Sequence, residues 1–95
     1  MRPKGYRSAY KLAWGSKAWQ AYLYWQLQDK KTLKRINRII QDTILNPFEG
    51  IGKPEPLKKN LSGFWSRRID ETNRLVYIVD DDYITIISCR YHYEK

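Results

Sequence analysis

The chain has 95 residues, the size of one small domain, and 42% of them are apolar, which is enough for a core and argues against wholesale disorder. Lys and Arg number 18 against 10 Asp and Glu, so the formal net charge is +8. This excess predicts a polyanionic partner: nucleic acid, an anionic membrane or an acidic protein.

Several classes of protein are excluded by what the chain lacks. No apolar run approaches the roughly 20 residues of a membrane span, and no apolar signal segment lies between Met1 and Gly15. One cysteine, Cys89, excludes an internal disulfide framework and a Cys-rich zinc site, and one histidine, His92, excludes a multi-His metal centre. We therefore expect no metal or other cofactor, and a reducing cytoplasm as the compartment.

The first half of the chain predicts a strand and two helices. Residues 1–9 are basic and aperiodic, and we interpret them as a mobile leader before a single domain at 10–95. Alternation over 10–14 predicts a strand, after which Gly15 turns the chain and Ser16 is the expected N-cap of a first helix.

A second, amphipathic helix follows the first. Asp29 is its expected N-cap, apolar residues then recur at intervals of three and four, and Asn46-Pro47 ends the pattern.

The second half of the chain predicts a loop and a strand-like remainder. Residues 46–56 are rich in proline and glycine, as loops are. The predicted strands cover residues 57–61, 64–69, 75–79 and 83–91. The predicted class is α+β, with two helices on one face of a twisted, mainly antiparallel sheet in the order β-α-α-β-β-β.

Glu55 is a candidate general base. It lies between Pro54 and Pro56, which restrict its backbone, in a loop that also contains Lys53 and Lys58. A rigidly held carboxylate among cations can accept a proton from a substrate hydroxyl. For this residue alone, a solvated carboxylate that balances the lysine charges is the more ordinary interpretation.

Three arginines, Arg67, Arg68 and Arg74, flank one predicted hairpin. Because successive strand residues alternate between faces, Arg67 and Arg68 must point in opposite directions. A guanidinium on the open side of the sheet can clamp a phosphate and stabilise the charge of a phosphoryl transition state. Cross-strand pairing with Asp70 or Glu71, worth about 0–1 kcal/mol, is the structural alternative.

The C-terminal string Arg90-Tyr91-His92-Tyr93 is the most suggestive of a site. An imidazole, with a usual pKa of about 6.5, can donate a proton to a leaving alkoxide at neutral pH, and a tyrosine can stack on a base. A lone surface histidine is the alternative. A carboxylate, arginines and an imidazole are together the components of metal-free RNA cleavage by the RNA's own 2′-hydroxyl.

The motifs of the chain resemble those of a known family over residues 10–93. The family is that of the YoeB/Txe toxins, in the RelE/ParE superfamily of bacterial type II toxin–antitoxin systems. The motifs that carry the resemblance are Pro47-Phe48-Glu49-Gly50, Gly52-Lys53-Pro54-Glu55-Pro56-Leu57-Lys58, Asn60-Leu61-Ser62-Gly63-Phe64-Trp65-Ser66-Arg67-Arg68, Arg74-Leu75-Val76-Tyr77 and Cys89-Arg90-Tyr91-His92-Tyr93.

The resemblance implies an activity and a set of partners. It implies a RelE/ParE-like microbial RNase fold and a ribosome-dependent mRNA endonuclease that cuts in the ribosomal A site. It also implies a homodimer, inhibition by a YefM-like antitoxin, and contact with operator DNA through the antitoxin complex.

Residue roles follow from the same resemblance. It implies Glu55 as general base, His92 as general acid, Arg74 as the stabiliser of the transition state and Tyr93 as a substrate-placing residue. It also implies Lys58 and Arg68 as phosphate-binding residues, and we expect Lys53 and Arg67, two further cations of the same segments, to bind phosphate with them. Two alternatives stay open: a non-catalytic inhibitor on the same fold, as in gyrase-poisoning ParE relatives, and a plain basic RNA- or protein-binding module.

Overall fold

Residues 10–91 are described by a computed structural model, in which two helices pack on one face of a five-stranded sheet. The class is α+β, as predicted. In chain order the elements are β1 (Lys11–Trp14), α1 (Ser16–Gln28), α2 (Lys30–Leu45), β2 (Glu55–Pro56), a single 3₁₀ turn (Lys59–Leu61), β3 (Phe64–Arg68), β4 (Arg74–Val79) and β5 (Tyr83–Ser88). The predicted leader, residues 1–9, lies outside the described residues, as do residues 92–95.

The sheet is mainly antiparallel, as predicted, and has the strand order β1-β5-β4-β3-β2. Strands β2 to β5 form an antiparallel meander, whereas β1 joins the far edge parallel to β5, with Leu12 opposite Ile84 and Trp14 opposite Ile86. A parallel pair requires a long crossover connection, and the chain between β1 and β5 includes both helices.

Helix α1 begins one residue earlier than predicted, and Gly15 rather than Ser16 is its N-cap. The amide of Gly15 still donates to the carbonyl of Ile86 in the sheet, while its carbonyl already accepts from the amide of Trp19. Gly15 thus directly follows the strand, bonds to the sheet through its amide and accepts the first hydrogen bond of the helix, which leaves Ser16 inside the first turn. The Ser16 cap prediction was wrong for this reason.

Helix α2 follows its prediction at both ends. Asp29 accepts a hydrogen bond from the Thr32 amide at 3.1 Å and another from the Thr32 hydroxyl at 2.8 Å, and Pro47 comes directly after the C-cap Asn46. The helix buries one face, formed by Ile36, Ile39, Ile40 and Thr43. Within residues 10–91 no helix is long and apolar enough to cross a membrane.

The core lies between the helices and one face of the sheet, and most of the tryptophans belong to it. Trp25 is buried and its indole N–H donates to the Cys89 carbonyl at 2.9 Å, while Trp14 and Trp65 pack against the core from its edges. Trp19 remains 43% exposed. The sheet residues of this core are Leu75, Tyr77, Ile84 and Ile86.

The predicted strand at residues 57–61 is wrong. Only Glu55 and Pro56 pair with β3. The last backbone hydrogen bond between this part of the chain and β3 runs from the Leu57 amide to the Phe64 carbonyl, at 2.8 Å. Lys59 then takes a left-handed backbone (φ 59°), which starts the 3₁₀ turn and ends the extended geometry.

Candidate active site

Several of the predicted site residues lie together on the sheet face opposite the helices. Cross-strand pairs align Glu55 with Ser66, Ser66 with Val76 and Val76 with Ser88. These side chains alternate with the buried Tyr77 of β4, so they point away from the core. We call this side of the sheet the open face; it carries Glu55, Ser66, Arg68, Arg74, Val76 and Ser88, of which Glu55 and Arg68 are exposed and Ser66 and Val76 are buried.

Glu55 and Arg74 form an ion pair on the open face. A guanidinium nitrogen of Arg74 lies 3.6 Å from a carboxylate oxygen of Glu55, and the side chains are 21% and 61% exposed, respectively. This separation is long for a hydrogen bond, so the carboxylate keeps lone pairs for another donor. The pair can therefore offer an accessible proton acceptor beside a fixed positive charge.

The end of the described chain is anchored beside Arg74. The amide of Arg74 donates to the Tyr91 carbonyl at 3.2 Å, and the amide of Tyr91 donates to the side-chain oxygen of Asn73 at 2.6 Å. Tyr91 has a left-handed backbone (φ 65°), a conformation that a non-glycine residue holds only where its surroundings enforce it. His92 and Tyr93 lie outside the described residues, and His92 is the next residue of the chain after Tyr91.

Asp70 makes the turn before β4 rigid. Its carboxylate accepts from the amides of Thr72 and Asn73, at 2.8 and 2.7 Å, and from the Asn73 side-chain N–H₂ at 3.1 Å. Burial raises the pKa of Asp70, but the hydrogen bonds from Asn73 and Thr72 outweigh it and leave the pKa below its usual value. Asp70 thus orients Asn73, which in turn holds Tyr91. Sequence reasoning missed this role of Asn73, although an Asp followed three residues later by Asn is a recognisable turn signal.

Arg67 is buried and faces the helices. Its side chain is 0% exposed, and Nη1 donates to the Asp42 carboxylate at 2.7 Å. Its Nε donates to the Tyr77 hydroxyl, and its other N–H groups donate to the carbonyls of the loop after α2: Asn46, Glu49 and Ile51.

This placement corrects the prediction for Arg67. The alternation of Arg67 and Arg68 between faces is as expected, but Arg67 pairs with Asp42 rather than with Asp70 or Glu71. Its donors are occupied inside the protein, so it holds the loop in place and is not a phosphate ligand.

Three of the expected phosphate-binding residues, Lys53, Lys58 and Arg68, are exposed. None of the three forms an ion pair with another residue of the 10–91 segment. Lys53 follows Gly52, whose carbonyl accepts from the Arg68 amide at 2.7 Å. Gly52 has φ 79°, and a Cβ there would lie 3.0 Å from the Arg68 carbonyl, so only glycine lets the loop approach β3 this closely.

Two solved structures share this architecture. The YoeB dimer from Staphylococcus aureus superposes with a TM-score of 0.83 and 47% identity, covering 90% of this chain and 100% of that one. A chain of the heterotetrameric YoeB–YefM toxin–antitoxin complex from the same species gives 0.81 and 47%, with the same coverage. The fold is that of small bacterial toxins.

The sequence comparison identifies the family more closely. A family model described as a YoeB-like toxin of a bacterial type II toxin–antitoxin system matches residues 14–93. Toxin YoeB of Escherichia coli O6:H1 strain CFT073 is 64% identical over 83 residues, which are 87% of this chain and 99% of that relative. The chain belongs to the family of YoeB-like toxins, which confirms the resemblance noted in its motifs.

Proposed function

We propose that this toxin acts as a ribosome-dependent mRNA endonuclease that cuts in the A site by metal-independent acid–base transesterification. The observation that carries the proposal is the Glu55–Arg74 pair on the open face. The exposed cations Lys53, Lys58 and Arg68 support it, because they can hold the phosphates of an RNA strand next to that pair.

In the proposed reaction each group has one task. Glu55 takes the proton of the 2′-hydroxyl, and the freed oxygen attacks the adjacent phosphorus. The bond from phosphorus to the 5′-oxygen breaks, and His92 gives that oxygen a proton, leaving a 2′,3′-cyclic phosphate. Arg74 stabilises the extra negative charge on the phosphoryl oxygens, and Tyr93 places the substrate.

The proposed partners follow from the relatives. A YoeB dimer and a YoeB–YefM heterotetramer are known for the Staphylococcus aureus proteins. For this chain we propose a homodimer, a YefM-like antitoxin that inhibits it, contact with operator DNA through that complex, and action in the cytoplasm.

The role of Glu55 is tested with Glu55→Gln, which keeps the shape of the side chain and removes its basicity. We expect cleavage of ribosome-bound mRNA to fall about 10²–10⁴-fold, because a positioned base contributes that much. Ribosome binding should change little. Glu49→Gln is the matched control, since Glu49 is an exposed carboxylate of the preceding loop. Cleavage by Glu55→Gln at the wild-type rate would remove Glu55 as the base.

The role of His92 and the need for ribosomes are tested by primer extension on a translated mRNA. Wild type should cut at A-site codons only when ribosomes are present, and His92→Ala should lose these cuts. A folded wild type that never cuts would favour the gyrase-poisoning alternative, which a supercoiling assay then tests. RNA binding that survives in every variant without cleavage would favour a binding module.

A further inference from the structure

A basic pocket lies between α1 and the end of β5. It has a volume of about 460 Å³ and is lined by Lys17, Gln20, Ala21, Ser88, Arg90 and Tyr91. The proposed reaction uses none of these side chains. Two of them are cations, two more have neutral polar ends, and Tyr91 is 56% exposed.

Arg90 is held in a fixed orientation in this pocket. Its guanidinium carbon lies 3.5 Å from the centroid of the Tyr24 ring and 4.6 Å from that of the Tyr91 ring. Stacking on aromatic rings leaves the N–H groups at the edge of a guanidinium able to donate. The side chain is therefore oriented before any ligand arrives.

Within residues 10–91, no residue accepts a hydrogen bond from the guanidinium of Arg90. No carboxylate within residues 10–91 pairs with Arg90 or with Lys17. In that part of the chain, every buried side-chain nitrogen and oxygen has a hydrogen-bond partner. A guanidinium nitrogen of Arg90 without such a partner is therefore not buried but in contact with solvent. A planar guanidinium with free N–H donors, next to a lysine, is suited to bind two oxygens of one phosphate group.

The pocket and the open face share Ser88, at the end of β5. Ser88 lies in the same cross-strand row as Glu55, three strand spacings away, or roughly 14 Å. Tyr91 lines the pocket and its carbonyl also accepts the amide of Arg74. A polyanion bound at the Glu55–Arg74 pair can therefore extend over Tyr91 into the pocket.

We propose that this pocket binds a backbone phosphate of the RNA strand, away from the bond that is cut. Arg90 and Lys17 hold the phosphate, and the exposed ring of Tyr91 stacks on the adjoining base. A nucleic-acid strand fits better than an acidic peptide, because it carries a charge at every nucleotide and offers bases to an exposed ring. This subsite rests on the proposed endonuclease function, whose substrate path it extends.

The test uses a short single-stranded RNA in which every 2′-hydroxyl is methylated, so that the 2′-oxygen route cannot cleave it. Fluorescence anisotropy gives the affinity of the full-length protein at about 50 to 200 mM salt. Arg90→Gln should weaken binding about tenfold, as expected for a charged hydrogen bond, and Lys17→Gln about threefold. Each lost phosphate contact should reduce the salt slope by about 0.7.

Matched controls separate the pocket from net charge. Arg38→Gln and Lys34→Gln remove the same charges from the exposed side of α2 and should leave affinity and salt slope close to wild type. Arg90→Lys keeps the charge but loses the stacked fork, and should bind nearly as weakly as Arg90→Gln. Lys17 is exposed, so Lys17→Gln stays informative even if the Arg90 variants are unstable.

A single neutral methylphosphonate, moved along the RNA, locates the contact. At one position it should weaken binding to wild type and abolish the difference between wild type and Arg90→Gln. The proposal would be overturned if the pocket variants bound RNA as tightly as the control variants do. It would also be overturned if the pocket variants lost binding to an acidic peptide but kept their binding to RNA. Because this RNA cannot be cleaved, pocket-dependent binding by a wild type that never cuts mRNA would reject the endonuclease function and retain the subsite.

Discussion

Cys89 joins the end of β5 to α1. It is 0% exposed, its thiol lies 3.6 Å from the Ala18 carbonyl, and its own carbonyl accepts the indole N–H of Trp25. Burial raises the pKa of the thiol from 9.0 to about 12. At neutral pH it is therefore a small apolar core residue with a weak donor rather than a nucleophile.

We predict that iodoacetamide modifies Cys89 only when the chain unfolds. At pH 8 the raised pKa lowers the thiolate fraction about a thousandfold relative to a thiol with a pKa of 9.0, and burial blocks the reagent as well. Mass spectrometry should show no label on the native protein and complete label in denaturant. Native labelling as fast as that of a free thiol would contradict the burial of this residue.

Neighbouring residues show which part of the site the sequence predicts. Alternation correctly put Arg67 and Arg68 on opposite faces, because it depends only on strand geometry. Which of them is buried depends on Asp42, 25 residues away, and on a loop that closes over the guanidinium. The roles of Glu55 as general base and of Arg74 as transition-state stabiliser were implied by the family resemblance, because the spacing of the residues alone did not distinguish them from ordinary surface charges.

Between elements, Arg67 connects β3, α2 and the loop that leads to Glu55. Burial raises the pKa of Asp42, but the hydrogen bonds from Arg67 and the Ile51 amide, with the charge of Arg67, lower it below its usual value. The loop carbonyls of Asn46 and Glu49 accept from the same guanidinium. One side chain therefore fixes the segment that positions the candidate base.

We predict that Arg67→Met destabilises the fold by about 3 kcal/mol, because removing one partner of a buried pair leaves the other without compensation. Urea unfolding, followed by circular dichroism, measures the loss. Arg68→Met is the matched control; Arg68 is exposed on the other face, so its loss should stay within about 0.5 kcal/mol. A loss of no more than about 0.5 kcal/mol for Arg67→Met as well would show that Arg67 has no structural role.

Local signals predicted both ends of α2 correctly, although the local Ser16 cap of α1 was wrong. The Asp29 cap and the Asn46-Pro47 stop act within a few residues, and both are confirmed. The strand at 57–61 failed because a strand needs a partner, and β3 pairs with residues 55 and 56 instead. The parallel pairing of β1 with β5 joins residues about 70 positions apart, which no local pattern indicates.

For the whole molecule, the charge balance sets the response to acid. At neutral pH 10 carboxylates offset 18 cations, and protonating them moves the net charge from +8 toward +18. Repulsion among exposed charges then disfavours the folded state, and salt screens it. The contact between Asp42 and Arg67 is less sensitive to salt, because the arginine is fully buried.

We predict that stability falls below the usual carboxyl pKa near 3.8 and that part of this loss is due to Asp42. A carboxyl whose folded pKa is lowered contributes stability that is full above its unfolded pKa and is lost as the pH falls through the folded value. Asp42→Asn should lose about 2 kcal/mol at pH 6 and depend less on pH below 4. Urea unfolding at pH 6, 4 and 3, in low and high salt, measures both. Asp81→Asn, which removes the same charge from an exposed turn, should follow wild type. If high salt erased the difference between Asp42→Asn and wild type, the acid response would come from net charge alone.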